Sequence, residues 1–164
     1  MVKAPIVMPA TADHVQLLWP NMSLKDTQEV WAAAHHTPKQ ALEEAFGISK
    51  HIYSAFFNRK ILCMGGVADA PCDAGVPWLL GTEELPKYGK SLLKESRKWI
   101  NVVEKEYRIL YNFVDTRNAP SKRWLNWLGF TIHPAKPYGP DDMLFHLFTL
   151  ENPYFGEGVL ACAA

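Results

Sequence analysis

The chain has no excess of charge: seventeen Lys and Arg balance seventeen Asp and Glu over 164 residues, a formal net charge of zero. That excludes a histone-like polyanion binder, whose affinity comes from surplus positive charge against phosphates. It equally excludes an acidic disordered chain. Long apolar runs are missing too: no stretch approaches the ~18 uninterrupted apolar residues of a membrane-spanning helix, so no membrane partner is expected. The first fifteen residues hold one Lys and a short apolar run broken by Pro5 and Pro9. They lack the longer apolar stretch and small-residue cleavage site of a signal peptide, and the expected setting is intracellular. Cysteine is scarce. Cys63, Cys72 and Cys162 form no CxxC pair and no His-spaced ligand set, and the adjacent His35 and His36 would point apart on a helix, so no metal site is expected. No internal repeat, low-complexity block or linker interrupts the sequence. What is there is an ordinary globular composition, 48% hydrophobic and 21% charged, with six tryptophans to supply a large aromatic core or an interaction surface. The length suits one domain.

Periodicity and punctuation divide the chain. Ile6–Pro9 reads as a short strand, and Thr11 or Asp13 caps a helix that Pro20 ends. Helical spacing resumes from Ser23, and again after Thr37-Pro38, through Ala41, Leu42, Ala45 and Phe46 to Gly47. His51–Phe57 alternates as a strand does, Asn58-Arg59 reads as a hairpin turn, and Lys60–Val67 reads as the returning strand with Gly65-Gly66 inside it. A loop over Ala68–Gly75 precedes a strand at Val76–Leu80. The longest amphipathic segment lies between Pro86 and Glu106, with Leu92, Leu93, Trp99, Ile100, Val103 and Tyr107 on one face and Lys87, Lys90, Lys94, Arg97 and Lys98 on the other. Arg108–Val114 reads as a strand, Pro120–Leu128 as a helix stopped by Gly129, and Phe130–His133 and Met143–Leu150 as strands. The order β-α-α-β-β-β-α-β-α-β-β predicts a single α+β domain over 1–150 around one mixed sheet, with a loosely ordered tail over 151–164. The zero charge is also unevenly spread, because Glu84–Arg123 holds ten basic against five acidic residues.

Two short motifs carry a resemblance. Pro9-Ala10-Thr11-Ala12-Asp13 is similar to an opening "RPAT-x-x-D". The segment from Asn118 through Ser121, Trp124 and Leu125 to Leu128-Gly129-Phe130 resembles "N-x-x-A-x-x-L-Y-x-K-L-G-F". Both belong to the GCN5-related N-acetyltransferase (GNAT) family, whose order of elements fits residues 5–150. The resemblance implies acetyl-CoA or another acyl-CoA as cofactor, its pantetheine arm pairing with a splayed strand at Leu79 and Leu80. It implies a pyrophosphate held at the N-terminus of the following helix, where backbone N–H groups and the helix dipole favour anions. The family's "Q/R-x-x-G-x-G/A" loop aligns Glu84, Lys87 and Gly89, so only the last glycine matches. Lys87, Gly89, Lys90 and Ser91 are the implied phosphate contacts, with Asn118 and Ser121 from the second motif. Leu125 stands where the family keeps a tyrosine able to protonate the departing thiolate. Tyr107 and Tyr111 are candidate substitutes, and Glu83 and Asp115 are the nearest candidate bases.

A narrower resemblance covers 78–150, through the Lys/Arg-rich helix, Tyr111-Asn112-Phe113-Val114, Asn118-x-x-Ser121 and the terminal Leu144–Thr149. These residues are similar to small GNAT-like proteins of T7-like bacteriophages. That implies the cytoplasm of an infected bacterial host, a possible bacterial host protein as partner, and possible packaging in the virion. Two functions stay open: acyl transfer from acyl-CoA to an amine, or a catalytically degenerate binding protein that modulates a host enzyme or is a virion component. Nucleic acid is the weaker third partner, since no aromatic stacking platform accompanies the basic helix.

Overall fold

The computed structural model describes residues 4–156. The chain folds as α+β around one eight-stranded mixed sheet. Strand β1 (Ile6–Pro9) leads into helices α1 (Ala12–Leu18), α2 (Leu24–Ala34) and α3 (Pro38–Ile48). An antiparallel meander follows, made of β2 (Ser49–Phe57), β3 (Lys60–Ala70) and β4 (Ala74–Gly81). Helix α4 (Gly89–Val103), β5 (Ile109–Asp115) and α5 (Ala119–Leu128) come next, and β6 (Thr131–Ile132), β7 (Lys136–Tyr138) and β8 (Met143–Glu151) close the chain. The spatial order is β1-β2-β3-β4-β5-β8-β6, with β7 also paired to β8.

The expected order holds with two additions. Three helices, not two, precede β2, because Ser23 and Thr37 each cap a separate helix: Ser23 Oγ accepts from Asp26 N and Thr37 Oγ1 from Gln40 N. The short β7 is an extra strand that exists only by pairing with β8. Gly47 does not stop α3, which runs on to Ile48. Most of the loop expected over 68–75 is strand, since Cys72 and Asp73 adopt positive φ and turn the hairpin within three residues. The tail expected from 151 begins as the last residue of β8, and Asn152 is bonded to Arg108 O and Glu104 O. Residues 157–164, with Cys162, lie outside the described residues.

Two cores sit on opposite faces of the sheet. Val15 and Leu18 of α1 and Leu42 of α3 pack with Ile61 and Met64 of β3. On the other face Ile100 and Val103 of α4 and Leu128 of α5 pack with Leu110, Val114, Phe130 and Phe148. Helix α2 belongs to neither core: its one buried apolar residue is Ala32, and Leu24 and Trp31 are exposed. It therefore lies where polar bonds, not burial, place it.

Candidate functional site

Strands β4 and β5 run parallel, yet they pair only at Ala74↔Ile109 and Gly75↔Leu110. Gly75 permits that close approach, because a Cβ there would stand 2.8 Å from Leu110 Cδ2 and 2.9 Å from Tyr107 Cγ. Beyond it the strands diverge, and a gap opens toward Gly81 and Asp115. Alternate residues turn their peptide groups to opposite edges of a strand. Thr82 N bonds Leu62 O on the β3 side, whereas Pro77 O and Gly81 N are engaged on the β5 side. By that alternation Leu79 presents its N–H and C=O to the gap, and its side chain is 42% exposed. Leu80 turns its backbone to β3 and packs its side chain beside Met64.

Side chains occupy the rest of the gap's edges. Asn112 Nδ2 donates to Pro77 O at 2.9 Å, and its Oδ1 accepts from Phe113 N at 2.8 Å. At the wide end α2 crosses from one strand to the other. Asp26 Oδ2 accepts from Gly81 N at 2.7 Å; one turn on, Glu29 Oε1 accepts from Asp115 N at 2.7 Å and Oε2 from Asn118 Nδ2 at 2.9 Å. The i,i+3 spacing puts both carboxylates on the sheet-facing side of the helix. Burial dominates both: it pushes Asp26 up to about 6 and Glu29 up to about 7, against the backbone N–H bonds that favour the charged forms.

The helix is tied at each end. Ser23 N donates to Gly81 O at 2.8 Å, and Met22 bridges Thr82. At the far end His35 takes φ 54° as the left-handed cap, and its Nε2 lies 2.8 Å from Asp141 Oδ2. Gly139 lies so near the helix terminus that a Cβ would be 2.2 Å from Ala32 O.

Solved structures share this fold at low sequence identity. Ard1 from Thermoplasma volcanium matches with a TM-score of 0.69 and 11% identity, over 91% of this chain and 98% of that one. A Bacillus subtilis acetyltransferase in complex with CoA matches at 0.62 and 11%, over 91% and 98%. The ribosomal-protein-S18-alanine N-acetyltransferase from Escherichia coli matches at 0.62 and 16%, over 95% and 99%. The fold is that of the GNAT acetyltransferases. No family model matches the sequence, and no curated protein matches it either. The likeness is thus one of backbone.

Within this GNAT fold the residues singled out from the sequence fall in different places. Glu83 is exposed and serves α2, its Oε1 accepting from Leu24 N at 2.7 Å. Asp115 is buried at the gap's end. Burial opposes its charge, but the hydrogen bonds from Arg117, with Nη2 at 2.6 Å from Oδ2, prevail and hold the carboxyl below its ordinary value. A carboxylate so held is a poor proton acceptor at neutral pH. Tyr107 stands at the closed end, bonded to Asp69 at 2.6 Å, and burial first and that bond second push its hydroxyl up to about 12. Leu125 packs against the α4–α5 core.

The loop before α4 winds into a 3-10 turn, Leu85–Tyr88. Lys87 Nζ lies 2.7 and 2.9 Å from the Glu84 carboxylate, so the two charges hold each other. Lys90 is exposed and Ser91 half-buried on the first turn of α4; a Cβ at Gly89 would meet only Trp124, at 4.0 Å. Asn118 is buried, caps α5 through Ser121 N and turns its amide to Glu29. Leu79, Asp115 and Asn118 therefore meet around the gap, Lys90 and Ser91 stand at the following helix, Glu83 is spent on α2 and Lys87 on its neighbour Glu84. Sequence reasoning passed over Asp26, Glu29 and Asn112. The Ser23-x-x-Asp26-x-x-Glu29 spacing was the available signal for the first two. Among the described residues no three His, Cys, Asp or Glu side chains cluster to hold a metal ion, and no helix is long and apolar enough to cross a membrane.

Proposed function

We propose that the protein binds an acyl-CoA in the β4–β5 gap and transfers the acyl group to an amine. The observation that carries this reading is the parting of β4 from β5 after two residue pairs, which leaves the Leu79 peptide edge facing the gap. The neighbours named above include a GNAT-fold acetyltransferase in complex with CoA, which supports the choice of ligand. The residues present fit such a ligand. Leu79 offers a donor and an acceptor to an amide arm, and the first turn of α4, with Lys90 and Ser91, offers N–H groups and positive charge to phosphates. The bound ligand supplies an activated thioester carbonyl.

Glu29 and Asp26 take the amine's proton. Carboxyls raised to about 7 and about 6 are poised for proton transfer near neutral pH. As the C–N bond forms and the C–S bond breaks, the proton passes from nitrogen to carboxylate, and the thiolate leaves into water without a tyrosine donor. Positioning supplies most of the acceleration. Titration calorimetry of acetyl-CoA against the protein and against Lys90→Glu tests the binding step. Binding to the first and weakened binding to the second are expected; no heat at millimolar ligand refutes the reading.

A second reading keeps the fold and drops the chemistry, and the side chains already bonded along the gap favour it. The sequence resemblance to small phage GNAT-like proteins adds a setting, the cytoplasm of an infected bacterium, with a host enzyme as the protein partner or the virion as the destination. A pull-down from bacterial lysate separates the two readings. One stoichiometric partner with no acetyl-CoA turnover supports the binding protein; turnover on amines with no retained partner supports the transferase.

A further inference from the structure

Past Gly75 and Leu110 no backbone rung joins β4 to β5, yet Asn112 still spans them. Its carboxamide gives a donor to Pro77 O on one strand and an acceptor to Phe113 N on the other. That is the bonding of a peptide amide set between two strands. Pro77 has no N–H, so its carbonyl is the polar group it shows to the gap, and Asn112 holds it. Asparagine is a weak strand former, and a β-branched or aromatic residue would suit the middle of β5 better, as its neighbours Tyr111 and Phe113 do. Asn112 is half-buried, so its side chain can turn out to solvent.

We propose that the Asn112 carboxamide is a built-in stand-in for a ligand amide, and that the pantetheine arm of an acyl-CoA binds by exchange with it. The proposal rests on the acyl-CoA reading above. Two hydrogen bonds break within the protein as two form to the ligand, so this rung adds little to affinity. Asn112 thereby limits how tightly the arm is held, and it narrows the difference in affinity between ligands that bring an amide and ligands that bring only the nucleotide end. With the carboxamide gone, Pro77 O and Phe113 N are open to the ligand from the start. Regaining the worth of one to two neutral hydrogen bonds corresponds to about tenfold tighter binding.

The test is calorimetric titration of the full chain and Asn112→Ala with CoA and, separately, with adenosine 3′,5′-bisphosphate, which carries phosphates but no pantetheine arm. CoA is expected to bind the variant about tenfold more tightly, with the bisphosphate unchanged. Weaker or unchanged CoA binding by the variant overturns the proposal and leaves the acyl-CoA reading standing. So does an equal gain for both ligands. If neither ligand binds either protein, the acyl-CoA reading fails and the proposal with it. Should Asn112→Ala not fold, Asn112→Thr serves: a good strand former that cannot bond both strands, it should tighten CoA binding about threefold, and any loss of affinity counts against the proposal.

Discussion

Replacing Glu29 by Gln should change how stability depends on pH, with a sign opposite to the usual behaviour of paired carboxylates. Burial raises the Glu29 carboxyl from 4.5 to about 7 in the folded protein. In the unfolded chain it ionises near its ordinary value, so between about pH 4.5 and 7 the folded state holds a proton that the unfolded state has lost. The stability this contributes is complete below pH 4.5 and is lost as pH rises through 7. A shift of roughly two to three units corresponds to about 3 kcal/mol. A neutral Gln keeps an oxygen for Asp115 N and carries no such dependence, although its amide faces Asn118 Nδ2 at the position of Oε2. Urea unfolding of both proteins at half-unit steps from pH 5 to 8 measures the difference. The wild-type stability should fall relative to Glu29→Gln by about 3 kcal/mol across that range. The Asp26 carboxyl, raised to about 6 by the same cause, adds to the fall in both proteins. Asp115, held low, loses its contribution only as pH drops below its ordinary value and so stays outside the window. Parallel pH profiles for the two proteins would refute the account of Glu29 as a carboxyl raised by burial.

Other perturbations test the separate parts. Leu42→Ala empties a fully buried position between α3 and β3 and should cost about 2–5 kcal/mol, read as a lowered urea midpoint at unchanged slope. Glu83→Ala removes an acceptor from the first turn of α2 and should cost about 1 kcal/mol while turnover stays within about twofold; a hundredfold loss would return Glu83 to the chemistry. Lys87→Ala should weaken CoA binding less than Lys90→Ala, because Glu84 already neutralises Lys87, and the reverse ranking in a titration would refute that pairing. Gly139→Ala forces a left-handed residue and a methyl group against Ala32 O, and should destabilise by at least about 1–3 kcal/mol in thermal unfolding.

The parts of the fold legible in the sequence are those set by neighbours in the chain. Asn118 caps α5 and Gly129 ends it at φ 97° because both tasks need only residues three or four positions away. The alternation of β2 and the amphipathic face of α4 are likewise local signals. The gap was legible only through resemblance, which reached Leu79, Asp115 and Asn118 but not the carboxylates of α2. Asp26 reaches Gly81 across 55 residues and Glu29 reaches Asp115 across 86, so apart from their spacing after Ser23 nothing near either carboxylate marks it as buried. Glu83 looked available for the same reason, since its partner Leu24 N lies 59 residues away, whereas Lys87 meets Glu84 only when the loop before α4 winds tight. Extra strand β7 depends on β8 in the same way.

Helix α2 has a thermodynamic consequence of its own. A segment whose one buried apolar residue is Ala32, and which is otherwise held by hydrogen bonds along its length, has little apolar area to lose when it lifts away. Its opening free energy falls well below that of the strands beneath, so its amides should exchange with solvent deuterium ahead of those in β3 and β5. Each such excursion frees Gly81 N and Asp115 N together, since the carboxylates that cover them ride on the same helix. Water, protons and any amine reaching the wide end of the gap would then share one clock, the rate at which this helix departs and returns.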